Sequence, residues 1–209
     1  DALNPGYRDV LIEVEETNTG DVSFGASLGS DSGVVGTVAL KQRNFDIRDT
    51  PDSMSELLAG RAFRGAGQNF VAQASPGTIT SNYSISLGEP SLWDTDYSGS
   101  AGVFYRTNDY DQYDEDRVGT RFNFGRRFGS RWNATVPFRI ERVNLRGIDE
   151  DAPVDYFNDR GANMITGVGI NLDRSSLNDA FRPSKGSRIS FGIEQVGAMG
   201  GDYTFTVLR

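Results

Sequence analysis

Arg117-Val118-Gly119-Thr120-Arg121-Phe122-Asn123-Phe124-Gly125-Arg126-Arg127 is the stretch on which the fold turns. Val118, Thr120, Phe122 and Phe124 fall on one parity, and Gly119, Arg121, Asn123 and Gly125 on the other. Trp132, Ala134, Val136, Phe138 and Ile140 repeat the pattern against Asn133, Thr135, Arg139 and Glu141. A period of two means a strand with one apolar and one polar face. Similar stretches of roughly ten residues recur along the chain, longer than the usual strand and close to what a tilted strand needs to cross a bilayer. The expected fold is all-β: an antiparallel meander closed toward a transmembrane barrel, with lipid outside and polar side chains within.

Composition is compatible with this. Apolar residues make up 37% of the 209 and mean hydropathy is −0.45. No apolar run approaches the ~18 residues of a spanning helix. Barrel strands escape that requirement because half of each faces a polar lumen. The 25 glycines are about 12% of the chain against a usual ~7%, and many fall inside strand patterns, where glycine weakens pairing and permits close approach. Cysteine and histidine are absent, so there is no disulfide and no imidazole to activate a serine or bind a metal. No enzyme activity, cofactor or metal is expected. A net charge of −8 argues against nucleic acid as a partner.

Spanning strands are expected over residues 20–29, 33–42, 67–75, 79–88, 97–107, 115–127, 130–143, 162–173, 186–196 and 201–209. Ser30-Asp31-Ser32, Pro76-Gly77-Thr78 and Phe128-Gly129 have the residue types of hairpin turns. Within the long connection 43–66, Ser53-x-x-Glu56 reads as a capping box, with Met54, Leu57 and Leu58 on one side and Gly60 as a stop, which predicts a short amphipathic helix. In residues 1–16, Val10, Ile12 and Val14 alternate with Leu11, Glu13 and Glu15 like one strand of a soluble sheet, whose partners are expected upstream. No signal peptide opens the chain, so a mature or trimmed form is expected.

The turns carry a resemblance. Val14-Glu15-Glu16-Thr17-Asn18-Thr19-Gly20, followed by Phe24-Gly25 and Gly33, resembles the junction between the last POTRA domain and the first barrel strand of the BamA/TamA family of outer-membrane assembly proteins. Leu87-Gly88-Glu89-Pro90 with Asp94-Thr95-Asp96-Tyr97 is similar to its fourth-to-fifth strand turn. Tyr113-Asp114-Glu115 with Val118-Gly119 resembles its entry into the sixth strand, and Asp173-Arg174 with Pro183-Ser184-Lys185-Gly186-Ser187-Arg188 its turn before the ninth. The matches are collinear and spaced by strands. The resemblance implies a sixteen-stranded barrel behind POTRA domains, with 1–18 the end of the last POTRA domain and its hinge, and 19–209 carrying about ten barrel strands. The chain departs from the family in its longer 43–66 connection and in lacking the arginine-glycine signature of a later inward-folding loop.

The function implied is folding and insertion of β-barrel proteins in the outer membrane of a Gram-negative-type bacterium. The implied partners are membrane lipid, client barrel proteins and periplasmic accessory proteins. The expected working site is the edge of the first strand, comprising Gly20, Val22, Phe24, Gly25, Ala26, Leu28 and Gly29. Unpaired backbone groups there can take an incoming strand. Alternatives are a secretion or translocation pore of the same superfamily, a passive porin and a soluble all-β binding module. Acidic residues crowd two loops (Asp109, Asp111, Asp114, Glu115, Asp116, and Asp149, Glu150, Asp151, Asp155, Asp159), which read as solvated outer loops rather than a calcium loop. Trp93, Tyr97, Tyr105, Tyr110, Phe128, Trp132 and Phe138 are expected at interfacial girdles, and Arg121, Arg139 and Arg188 to pair with carboxylates across strands in the lumen.

Overall fold

The computed structural model describes residues 19–58, 62–179 and 181–209. Ten strands follow one another: β1 Gly20–Gly29, β2 Gly33–Phe45, β3 Gln68–Ser75, β4 Thr80–Glu89, β5 Tyr97–Tyr110, β6 Tyr113–Phe128, β7 Trp132–Arg146, β8 Gly161–Ser175, β9 Arg188–Val196 and β10 Phe205–Leu208. They form one sheet in chain order, every neighbouring pair antiparallel, with β1 and β10 at its two edges. The strand expected in residues 1–16 and its hinge lie outside the described residues.

Register assigns the faces. Arg121 lies opposite Arg139 and Gly119 opposite Glu141, while Phe122 lies opposite Phe138 and Phe124 opposite Val136. The polar parity lines the inner face, where Glu141, Val196, Val143, Phe104 and Glu194 are buried. The apolar parity covers the outer face and is exposed, with Phe24 at 78%, Leu28 at 82% and Ile170 at 51%. A water-soluble sheet would bury these rings and branched chains against a second layer. Here the Glu141 carboxylate is buried and Phe24 is exposed.

Strands β5 to β8 run 14 to 16 residues, beyond the apolar alternation that predicted them. The β5–β6 ladder continues past the apolar band to Asp109 opposite Asp114 and Tyr110 opposite Tyr113, since backbone pairing does not require apolar side chains once it has left the membrane. At the other extreme β10 is only four residues long, not the nine of 201–209. Gly197, Gly200 and Gly201 take positive φ, and Asp202 is bonded by its backbone N–H and by its carboxylate to Met164 near the start of β8, so the chain arrives late in register with β9.

Helix α1, Met54–Leu58, forms where the capping box predicts. The Ser53 hydroxyl accepts the Glu56 N–H at 3.2 Å, and the Glu56 carboxylate accepts from the Asp52 N–H at 3.0 Å, one residue earlier than a standard box. Gly60 lies outside the described residues. A second short helix, α2 Val154–Asn158, lies in the β7–β8 connection. Pro137, in the middle of β7, interrupts the β7–β8 register at positions 136–137. The Ser175 N–H bond to Arg131 O sets odd residues of β7 toward β8, so proline removes the bond that position 137 would donate there.

Candidate functional site

The hydrogen-bond phase at β1 is fixed by its neighbours. The Arg43 N–H donates to Thr19 O at 3.1 Å, while Gly36 N–H donates to Pro76 O at 2.9 Å and Thr78 N–H to Val34 O at 3.0 Å. Odd residues of β2 therefore bond to β1, and even ones face β3 and the chain just beyond it. Because antiparallel pairs alternate, Asp21, Ser23, Gly25, Ser27 and Gly29 direct their backbone groups to β2. Val22, Phe24, Ala26 and Leu28 direct theirs to the far edge, where no strand lies among the described residues. The expected site residues thus divide: Gly25 and Gly29 hold β1 in the sheet, and Val22, Phe24, Ala26 and Leu28 present both an apolar side chain outward and a donor–acceptor pair sideways. Gly20 opens the strand. A Cβ at Gly25 would meet only Thr37 Cβ at 3.9 Å, so glycine is not required there by close approach.

The inner face holds a second arrangement. Glu141, whose side chain is fully buried, is met by Arg117 at 3.2 Å, Arg121 at 3.0 Å and Arg139 at 3.5 Å. Arg117 also binds Glu115 at 3.2 Å, and Arg139 reaches over β8 to Glu194 of β9, which Arg209 binds at 2.9 Å. Glycines make room for this network. A Cβ at Gly119 would lie 2.9 Å from Glu141 Cγ, Ile140 O and the Phe104 ring, and one at Gly167 would lie 2.5 Å from Glu194 Oε1. The cross-strand pairing expected for Arg121, Arg139 and Arg188 is present, Arg188 meeting Asp173 at 3.7 Å. The central place of Glu141 and the participation of Glu115, Arg117, Glu194 and Arg209 were missed. A signal was available for Glu141 and Glu194, charges at inner parity within strands and opposite Gly119 and Gly169 in register.

The acidic loop residues are spread along the distal rim, the end of the sheet opposite the start of β1. Asp116 pairs with Arg146, and Asp159 accepts the Tyr203 hydroxyl at 2.7 Å. Burial, followed by that hydrogen bond, raises the Tyr203 pKa to about 12. Among the described residues no three acidic groups converge on a metal-sized site. At the proximal rim, where β1 begins, Tyr97, Phe128 and Trp132 stand at strand ends as expected, and Trp93 is exposed in the turn before β5. Tyr110 ends β5 at the distal rim. Tyr105 stacks on Tyr83 several residues inside that end. Phe138 lies in mid-strand opposite Phe122, so it belongs to the apolar band and not to a girdle.

A curled antiparallel sheet, apolar outside and charged within, defines the transmembrane part of an outer-membrane β-barrel. The Omp85 superfamily domain matches residues 62–209, and the chain belongs to that superfamily. It is 21% identical over 93% of its length to the outer membrane protein assembly factor BamA of Neorickettsia risticii, and 22% identical over 94% to the protein of the same name from Nitratidesulfovibrio vulgaris. It spans 24% and 23% of those relatives. A crystal structure of BamA from Haemophilus ducreyi lacking POTRA domains 1–3 has the same fold, with a TM-score of 0.67 and 18% identity over 93% of this chain and 37% of that one. The resemblance carried by the turns therefore holds at the level of the family, and the chain is an outer-membrane protein of the Gram-negative type.

Proposed function

We propose that this chain forms the working half of a barrel that folds and inserts other β-barrel proteins, taking the client's terminal strand on the open edge of β1. The observation that carries this reading is the phase of β1: the residues that face lipid are also those whose backbone groups face the edge. A strand entering hydrocarbon must satisfy nearly all its N–H and C=O groups, because each orphan costs several kcal/mol. A client strand that pairs with Val22, Phe24, Ala26 and Leu28 avoids much of that cost while its own barrel closes. Recognition then depends on backbone geometry more than on side chains, and it requires no bond-making, cofactor or nucleotide.

Proline scanning of the full-length protein tests this. Phe24→Pro removes a donor from the open edge and leaves the β1–β2 ladder intact, whereas Gly25→Pro removes one from the ladder itself. Phe24→Pro is expected to slow client insertion into liposomes by on the order of tenfold, with Phe24→Ala near wild type and the barrel's heat-shifted gel mobility unchanged. Gly25→Pro is expected to lower barrel stability. Normal insertion by a folded Phe24→Pro protein would exclude the edge as the pairing site.

A further inference from the structure

Two arginines at the proximal ends of β6 and β8 stand apart from the inner charge network. On the inner face Arg117, Arg121, Arg139 and Arg209 all have a carboxylate within ion-pairing distance. On the outer face, Arg126 of β6 and Arg174 of β8 have none among the described residues. Both sit at the proximal rim, where each is held against aromatic rings. The Arg126 guanidinium lies 4.9 Å from the centres of both the Tyr97 and Phe128 rings, and that of Arg174 lies 5.9 Å from Trp132. Phe128 and Trp132 are half exposed. The two arginines belong to one strip: Tyr97 faces Arg126, Phe128 faces Trp132, and Trp132 faces Arg174.

Ring faces attract the cation but take up none of the guanidinium's five in-plane donors. The depth of these groups selects what can. On β7 the outward residues from Trp132 to Ile140 are apolar before Arg142 appears. Eight residues rise about 27 Å, or roughly 20 Å of depth at a barrel's strand tilt, close to the ~25 Å apolar band. Arg126 and Arg174 lie at the proximal border of that band. Their aliphatic stems cover apolar wall while their heads reach for the interface. Acceptors at that level are water, lipid esters and lipid phosphate, and phosphate matches the planar donor fork in both charge and geometry.

We propose that Arg126 with Tyr97 and Phe128, and Arg174 with Trp132, bind the phosphodiesters of anionic phospholipid in the leaflet at the proximal rim. From strand spacing and register, their Cα atoms are about 12 Å apart, which places two phosphates side by side against β6–β8. A lipid held there fixes the depth of the wall without any contact to the seam at β1.

Spin-labelled phosphatidylglycerol and phosphatidylcholine, compared by electron paramagnetic resonance in nanodiscs holding the full-length protein, test the site. At low salt the wild type is expected to prefer phosphatidylglycerol, by up to the order of fivefold per arginine. In the double variant Arg126→Gln/Arg174→Gln the preference should fall toward one. The corresponding double lysine variant should keep most of it, and Arg160→Gln, in the exposed β7–β8 connection, should leave it unchanged. Each glutamine variant alone is read the same way if the double variant does not fold. Full preference in the glutamine variants, an equal loss in the lysine pair, or an equal loss with Arg160→Gln would each overturn the proposal. Client insertion is not the readout, so this result and that of the seam experiment stand or fall separately.

Discussion

Gly119 and Gly25 occupy the same kind of position, an inner-facing place in a long strand, yet the structure asks different things of them. At Gly119 a methyl group would press on the Ile140 carbonyl, the Glu141 stem and the Phe104 ring at once, whereas at Gly25 it would meet one Cβ at ordinary contact distance. Gly119→Ala is therefore expected to destabilise by about 1–3 kcal/mol through overpacking. Gly25→Ala is expected to stabilise by about 0.5–1 kcal/mol, the usual cost of glycine inside a strand. Opposite shifts of the urea unfolding midpoint in lipid vesicles are the expected result, and shifts of the same sign would refute the distinction. Both glycines are visible in the sequence as breaks in a strand pattern. The difference between them is not, because it rests on what packs across the sheet, and for Gly119 that is the buried Glu141 directly opposite it on β7.

The elements themselves were legible to the extent that one face of them meets lipid. β1 has the bounds its alternation predicts, and the other spanning strands appear in the predicted order with ends displaced by a few residues. Displacement follows where the face rule stops acting: it is seen in the aqueous β5–β6 hairpin, which runs on through polar residues, and is largest before β10, where glycines and Asp202 hold the chain to β8. The Tyr203–Asp159 bond adds to this by tying the β9–β10 connection to the end of the β7–β8 connection. Since the Tyr203 pKa is raised from its ordinary 10.0 to about 12, the folded state favours the protonated phenol. The tie is complete below pH ~10 and lost as pH rises through the folded value. Amide protection around Asp159, taken relative to the intrinsic base-catalysed exchange rate, should therefore fall between about pH 10 and 12 in the wild type and already be low at neutral pH in Tyr203→Phe. An unchanged exchange rate in Tyr203→Phe would show that the bond does not order the connection.

For the molecule as a whole, the two faces have separate tasks. The charge network centred on Glu141 spans β6 to β9 on the inside and stiffens that wall, while β1 stands at the opposite side of the sheet, its side chains exposed over nearly its whole length. A wall cross-linked by ion pairs and an edge whose Val22, Phe24, Ala26 and Leu28 backbone groups face away from the sheet suit, in the proposed function, a barrel that opens at one place only. In the proposed function, a disulfide joining β1 to the strand that closes the full-length barrel onto it should stop client insertion, and reduction should restore it. Undiminished insertion by the oxidised form would move the working site elsewhere.

The coincidence of lipid-facing side chains and edge-facing backbone on the same four residues also constrains how β1 can change length. Losing or gaining a single residue between Asp21 and Leu28 would exchange both properties together, turning serine and aspartate toward hydrocarbon and rotating the donors of the valine and phenylalanine positions into the sheet. A two-residue change would preserve both. Length variation in this strand is therefore quantised in pairs: an odd step acts as a frameshift in the folded chain, even where the reading frame of the gene is untouched.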